Sequence, residues 1–184
     1  MAITVKVPAG AELYDSERNE FVFRVEKDLY ITLEHSLVSL QKWEQKWHVP
    51  FLDEQRSKTN EEVFDYLRCM TLSKNVPDYA YRLIPQSEMR RIEAYIRDPM
   101  TATTIKSHGG PRDREIKTAE VLYCDMILLG IPFECKKWHL NSLIMLITVC
   151  NEKQKAPKKM TRSEIFAQNR ELNRIRREAL KSKG

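Results

Sequence analysis

The hydrophobic period of this chain changes once, near Thr32, and that change constrains the fold more than any other feature. Before it, Ile3, Val5 and Val7 alternate with Thr4 and Lys6, the period of two that a half-buried strand requires. A polar stretch, Asp15 to Glu20, separates this strand from Phe21-Val22-Phe23-Arg24-Val25, and Leu29-Tyr30-Ile31-Thr32 offers a third. Residues 1–32 are therefore expected to form a small antiparallel hairpin or meander, whose apolar face needs a helix to cover it. From Leu33 onward, Leu37, Leu40, Trp43 and Trp47 recur at spacings of three, three and four, one face of an α-helix. The expected fold is α+β and mainly α, with about five or six helices.

Punctuating residues divide the helical body, residues 33–151. Pro50 closes the first helix. Thr59 and Glu62 form a T-x-x-E capping box ahead of Val63, Phe64, Leu67 and Met70. Ser87 reads as the N-cap of a third helix carrying Met89, Ile92, Tyr95 and Ile96, which ends at Pro99. Ser107-His108-Gly109-Gly110-Pro111 is a loop by composition. Ile116, Ala119, Leu122, Tyr123, Met126 and Ile127 then mark an amphipathic helix capped by Gly130. Ile131-Pro132 reads as a tight link into a helix around Trp138, Leu140, Leu143, Ile144 and Ile147. Those two helices are expected to pack as an antiparallel hairpin at the centre of the core, burying Leu122, Met126, Leu143 and Ile147.

Charge sets the last segment, residues 152–184, apart. It holds eleven Lys and Arg against four Asp and Glu, a net +7 where the whole chain carries +5, so residues 1–151 carry −2. Ala156-Pro157 breaks the chain, Thr161 and Glu164 repeat the capping-box pattern, and a helix is expected over residues 162–180. Most of its large apolar residues, Ile165, Phe166, Leu172, Ile175 and Leu180, fall on a narrow stripe. Such asymmetry reads as a basic arm that meets an acidic partner. Arg162, Arg170, Arg174, Arg176 and Arg177, with Ile165 and Leu172, are its candidate partner-binding residues. A solvated helix that only aids solubility is the plainer alternative.

The rest of the chain restricts what it can do. With 42% hydrophobic residues over 184 positions, the body can bury a core. Its longest apolar stretch, Leu143 to Cys150, is far shorter than the roughly 20 residues a bilayer requires, so no membrane association is expected. The opening MAITVKVPAG lacks the pattern of a secretory signal, and the four cysteines form no C-x-x-C pair. A reducing cytoplasm is the expected location. Each cysteine stands in an apolar helical context, where it acts as a small hydrophobe.

No catalytic or metal pattern stands out, and no enzyme activity, cofactor or metal is expected. Cys135 and His139 share an i, i+4 spacing, but zinc needs two further ligands and no second pair has metal spacing. His35 and His48 flank the tryptophan helix without a recognisable nucleophile or acid. The His-Gly-Gly-Pro loop lacks the lysine and hydroxyl of a phosphate-binding loop. Trp43, Trp47 and Trp138 suit a core or an interface, with the core favoured by the helical stripe.

A further set of segments carries a resemblance. These are Leu33-Glu34-His35-Ser36-Leu37, Lys42-Trp43-Glu44, Lys46-Trp47 and Pro50-Phe51-Leu52. Pro99-Met100-Thr101-Ala102-Thr103, Ile131-Pro132-Phe133-Glu134-Cys135, Lys137-Trp138-His139-Leu140-Asn141, Lys158-Lys159-Met160 and Asn169-Arg170 complete it. Together they resemble a widespread family of tailed-phage and prophage proteins encoded among the tail genes and described as tail assembly chaperones. The resemblance spans nearly the whole chain and implies a non-enzymatic factor in the host cytoplasm. Such a factor would bind the tape measure protein and help tail tube subunits assemble around it. It brings no catalytic residues with it, and self-association stays open. Two other readings stand beside it. One is a permanent virion component, such as a neck or head–tail connector. The other is a nucleic-acid-binding protein using the basic arm, although the chain carries no helix-turn-helix or zinc signature and nucleic acid is the disfavoured partner.

Overall fold

The computed structural model describes residues 2–15, 19–53, 55–104, 116–154 and 162–180. The fold is α+β and mainly α, 57% helical with 12% strand. It divides into two compact units, Met1–Asn151 and Glu152–Gly184. Two expected features, the His-Gly-Gly-Pro loop and the Thr161–Glu164 capping box, lie outside the described residues.

In the first unit the strands pair from the outside in. β1 (Ile3–Val7) runs antiparallel to β4 (Leu29–Leu33), with Val5 opposite Ile31 and Ile3 opposite Leu33. Val5, Val7, Ile31 and Leu33 are fully buried, as the period of two requires. Between them β2 (Glu12–Asp15) and β3 (Glu20–Arg24) form a separate hairpin. The arrangement is thus two ribbons and not a meander. Asp15 and Glu20, the two ends of the polar stretch read as a separator, stand opposite each other in this hairpin, with Asn19 at φ 54°. The inner hairpin leaves Tyr14, Phe21 and Phe23 exposed. Phe23 stacks on Tyr79 with centroids 4.5 Å apart.

Helices cover the outer ribbon. α1 (Leu37–Trp47) starts at a Ser36 cap and ends where His48 turns left-handed at φ 54°, so the helix stops before Pro50 is reached. α2 (Asn60–Met70) carries the expected capping box, with Thr59 N–H donating to Glu62 Oε2 at 2.8 Å and Glu62 N–H to Thr59 Oγ1 at 3.3 Å. After α2 the chain bridges β4, and Leu72 N–H donates to Thr32 O at 2.8 Å. α3 (Gln86–Arg97) starts at Pro85 and not at Ser87. Proline there fixes φ and lacks only an N–H that a helix start leaves unpaired anyway, so Ser87 falls inside the first turn.

α4 (Ala119–Leu128) starts at Thr118, which leaves Ile116 outside it, and the exposed Ile127 and Leu128 make it less amphipathic than its spacing predicts. Its end is a Schellman turn. Gly130 sits at φ 65°, its N–H donates to Ile127 O at 3.2 Å, and Ile131 N–H donates to Met126 O at 2.8 Å. The link to α5 (Leu140–Gln154) runs from Leu129 to His139 and contains a 3-10 turn, Phe133–Lys137, so it is longer than the tight connection expected.

Two clusters make the core. One joins Val5, Ile31, Leu33, Trp43, Leu67, Met70 and Ile92. The other holds Leu122, Met126, Leu143 and Ile147, all fully buried, together with Leu37 and Leu40. Helix α1 contributes to both clusters, Trp43 to the first and Leu37 and Leu40 to the second. The centre of the core is therefore α1 and not the α4–α5 pair.

The second unit is described over α6 (Arg162–Leu180), the span expected from the sequence.

Candidate functional site

All seven residues singled out on the arm lie on α6 and are exposed: Arg162, Ile165, Arg170, Leu172, Arg174, Arg176 and Arg177. The arginines differ in their local pairing. Arg174 bridges two carboxylates, reaching Glu171 at 2.6 Å and Glu178 at 2.7 Å. These bonds hold the Arg174 guanidinium above and the Glu171 carboxyl below their ordinary ranges. Arg162, Arg170, Arg176 and Arg177 have no acidic residue three or four positions away along the helix, the distances at which helical side chains meet. Among the described residues, only Arg174 of these arginines is in an ion pair. Ile165 and Leu172 are about half as exposed as in an open chain, at 44% and 43%, and lie a quarter-turn or more from most of the arginines.

A second surface lies on the first unit. Met100, Thr101, Trp138, Ser142, Met145 and Val149 line an open cleft of about 520 Å³ beside α5. Trp138 is 47% exposed there, so of the two settings open to the tryptophans it does not take the favoured one, the core. It ends the 3-10 turn before α5, so it never joins the helical stripe that suggested burial. Trp43 is fully buried, with its Nε1–H donated to Glu62 O at 2.9 Å, and Trp47 is half-buried.

The polar groups that the sequence leaves unexplained prove to be internal ties. His35 is 2% exposed. Its Nδ1 lies 2.6 Å from the Tyr66 hydroxyl, its N–H donates to Tyr95 Oη at 3.2 Å, and its carbonyl accepts from Leu140 N–H at 2.9 Å. One residue thus joins α2, α3 and α5. His139 packs edge-on against both His35 and Tyr95. Asn141 N–H donates to its Nδ1 at 3.3 Å, so Nε2 carries the proton and donates to Tyr95 O at 3.0 Å. Burial, with the neighbouring His139, pushes His35 down to about 3, and burial lowers His139 as well. Both rings are neutral near pH 7, and burial raises the Tyr66 phenol.

Glu44 performs a similar task across a longer span. It is 7% exposed and accepts N–H groups from Phe51 at 2.9 Å and Ala119 at 2.7 Å. Its carboxyl thereby tethers the loop after α1 and caps the start of α4. Burial raises its pKa against those two bonds.

Cys135 and His139 do not share a helix face, because Cys135 lies in the 3-10 turn and His139 uses both ring nitrogens in hydrogen bonds. No group of three His, Cys, Asp or Glu side chains suited to a metal occurs among the described residues. All four cysteines are free. Cys135 is buried and Cys69 and Cys150 are half-buried, but Cys124 is exposed, against the apolar setting expected for it.

The buried ties have weak sequence signals. His35 stands between the apolar residues of β4 and α1, which hints at burial, but its partners lie 31 and 60 positions away. Comparison with protein-family models, with characterised proteins and with solved structures finds no match for the chain.

Proposed function

We propose that this protein is a non-enzymatic tail assembly chaperone of a tailed phage or prophage. In this reading it binds the tape measure protein and promotes polymerisation of the tail tube around it. The observation that carries the reading is the contrast between the two units. The first ties its few buried ionisable side chains, such as His35, Glu44 and His139, into internal hydrogen bonds, whereas the second presents a basic helix on which four of five arginines have no acidic residue three or four positions away. An assembly factor needs such a combination of a stable body and an accessible arm. The resemblance to phage tail-gene proteins supplies the identity of the partner, a long helical protein that the arm would grip through acidic side chains.

Co-expression of the full chain with the tape measure protein of the same phage tests this. A soluble complex should form, should weaken as salt rises because exposed charges are screened over about 8–10 Å, and should be lost in the Arg170→Glu/Arg177→Glu variant. Mass spectrometry of purified virions should find the protein absent. Its presence in stoichiometric amount would instead make it a neck or connector component. Binding to duplex DNA in place of the tape measure protein would make the arm a nucleic-acid contact.

A further inference from the structure

The apolar residues of α6 do more than form a stripe. Ile165, Leu172 and Ala179 recur every seven residues, and Gln168 and Ile175 fall three residues after the first two. This is the a and d spacing of a coiled-coil seam, with Gln168 as its polar member. Assigning a to Ile165 places Glu171 and Glu178 at g and Arg176 at e. Of the other cations, Arg162 falls at e before the first a position, Arg170 and Arg177 fall at f on the far side, and Arg174 falls at c. In a parallel pair of such helices, g of one strand faces the following e of the other, so each Glu171 meets the Arg176 of the second copy. In an antiparallel pair g faces g and e faces e, which sets carboxylate against carboxylate. The charges therefore select both the partner and its direction.

Two observations on the described helix agree. Ile165, Leu172 and Ile175 are 44%, 43% and 50% exposed, which leaves the seam open to a partner. Arg176, unlike Arg174, has no carboxylate three or four positions away on its own strand, and Glu178, two positions away, points to another side of the helix. We infer that α6 pairs with α6 of a second copy of this chain as a parallel, in-register two-stranded coiled coil. The seam spans only about two heptads, so the pair is expected to be weak and concentration-dependent. Arg170, Arg174 and Arg177 stay outward, and two copies would present two basic stripes side by side. The pairing does not depend on which acidic molecule those stripes meet.

Sedimentation equilibrium of the full chain over a concentration series tests the pairing. The mass should rise from 21.7 kDa towards twice that value. Leu172→Lys should shift the dissociation constant by at least about tenfold. Arg176→Glu should weaken pairing too, by setting it against Glu171 of the other copy, and Glu171→Lys/Arg176→Glu should restore it. That rescue separates pairing from mere loss of helix. Ala179→Cys in a Cys124→Ser background should form an oxidised dimer, because only parallel chains bring the two copies of position 179 together. A single-chain mass at the highest soluble concentration would overturn the inference. So would a dimer unaffected by Leu172→Lys, a double swap that fails to rescue, or the absence of a disulfide at position 179.

Discussion

The two units of this chain handle polar side chains in opposite ways. In residues 1–151 the buried His35, Glu44 and His139 each bind neighbours from other elements, and the buried Glu62 holds the cap of its own helix and Arg56. In α6 the ion pairs of Arg174 stay within one helix and in water. A buried polar group is costly unless it is satisfied, so internal ties of the first kind fix one geometry. Exposed pairs of the second kind contribute little and leave the surface free for exchange. The difference leads to an expectation of where stability and recognition should reside. The first unit should respond to substitution by losing stability, and the second by losing binding.

The largest contrast should come from equivalent leucines. Leu143→Ala removes a fully buried side chain and should cost the first unit roughly 2–5 kcal/mol in denaturant unfolding. Leu172→Ala on α6, 43% exposed, should leave that unfolding transition unmoved. Equal effects would erase the division between the units.

Acid should act on the first unit next. His35 has its folded pKa at about 3, well below the value near 6.5 of an unfolded histidine. The unfolded chain therefore binds a proton that the folded one refuses. Its contribution is fully present above about pH 6.5 and is lost as pH falls towards 3, by up to about 1.4 kcal/mol per pH unit. His139 acts in the same direction. Chemical unfolding between pH 7 and 5 should show this slope, and His35→Gln should reduce it. A variant slope equal to the native one would sharpen the comparison against the buried-histidine account.

Smaller still is the cap of α2. Thr59→Ala removes the side chain that accepts Glu62 N–H and should cost about 1 kcal/mol. Smallest is Glu178→Gln on α6, which removes one carboxylate of a fully exposed pair. It should leave the melting temperature unchanged.

How much of this was readable in the sequence depended on whether the signal was local. The Thr59–Glu62 box, the span of α6 and the burial of Leu122, Met126, Leu143 and Ile147 follow from spacing within a few turns. Strand β2 carries only Leu13 and Tyr14 as an apolar cue, and its register with β3 shifts between those two residues, which a strict period of two does not show. Ser87 lost its expected place because Pro85, two residues earlier, already suits a helix start. The exposure of Trp138 depends on the 3-10 turn that precedes it, and period alone cannot distinguish that turn from another turn of α5. The ties of His35 and Glu44 reach across 31 to 75 positions, so no local pattern contains them. On α6 the apolar stripe and the charges are entirely local, and the helix spans the residues their spacing predicts.

Removing the arm tests the division between the units most directly. Truncation after Asn151, melted beside the full chain at a concentration low enough to suppress self-association, should unfold cooperatively at nearly the same temperature. The shortened protein should also fail to bind the acidic partner that the full chain binds at low salt. A drop in melting temperature of about 10 °C or more, or undiminished binding, would contradict the account and make α6 part of the structural core.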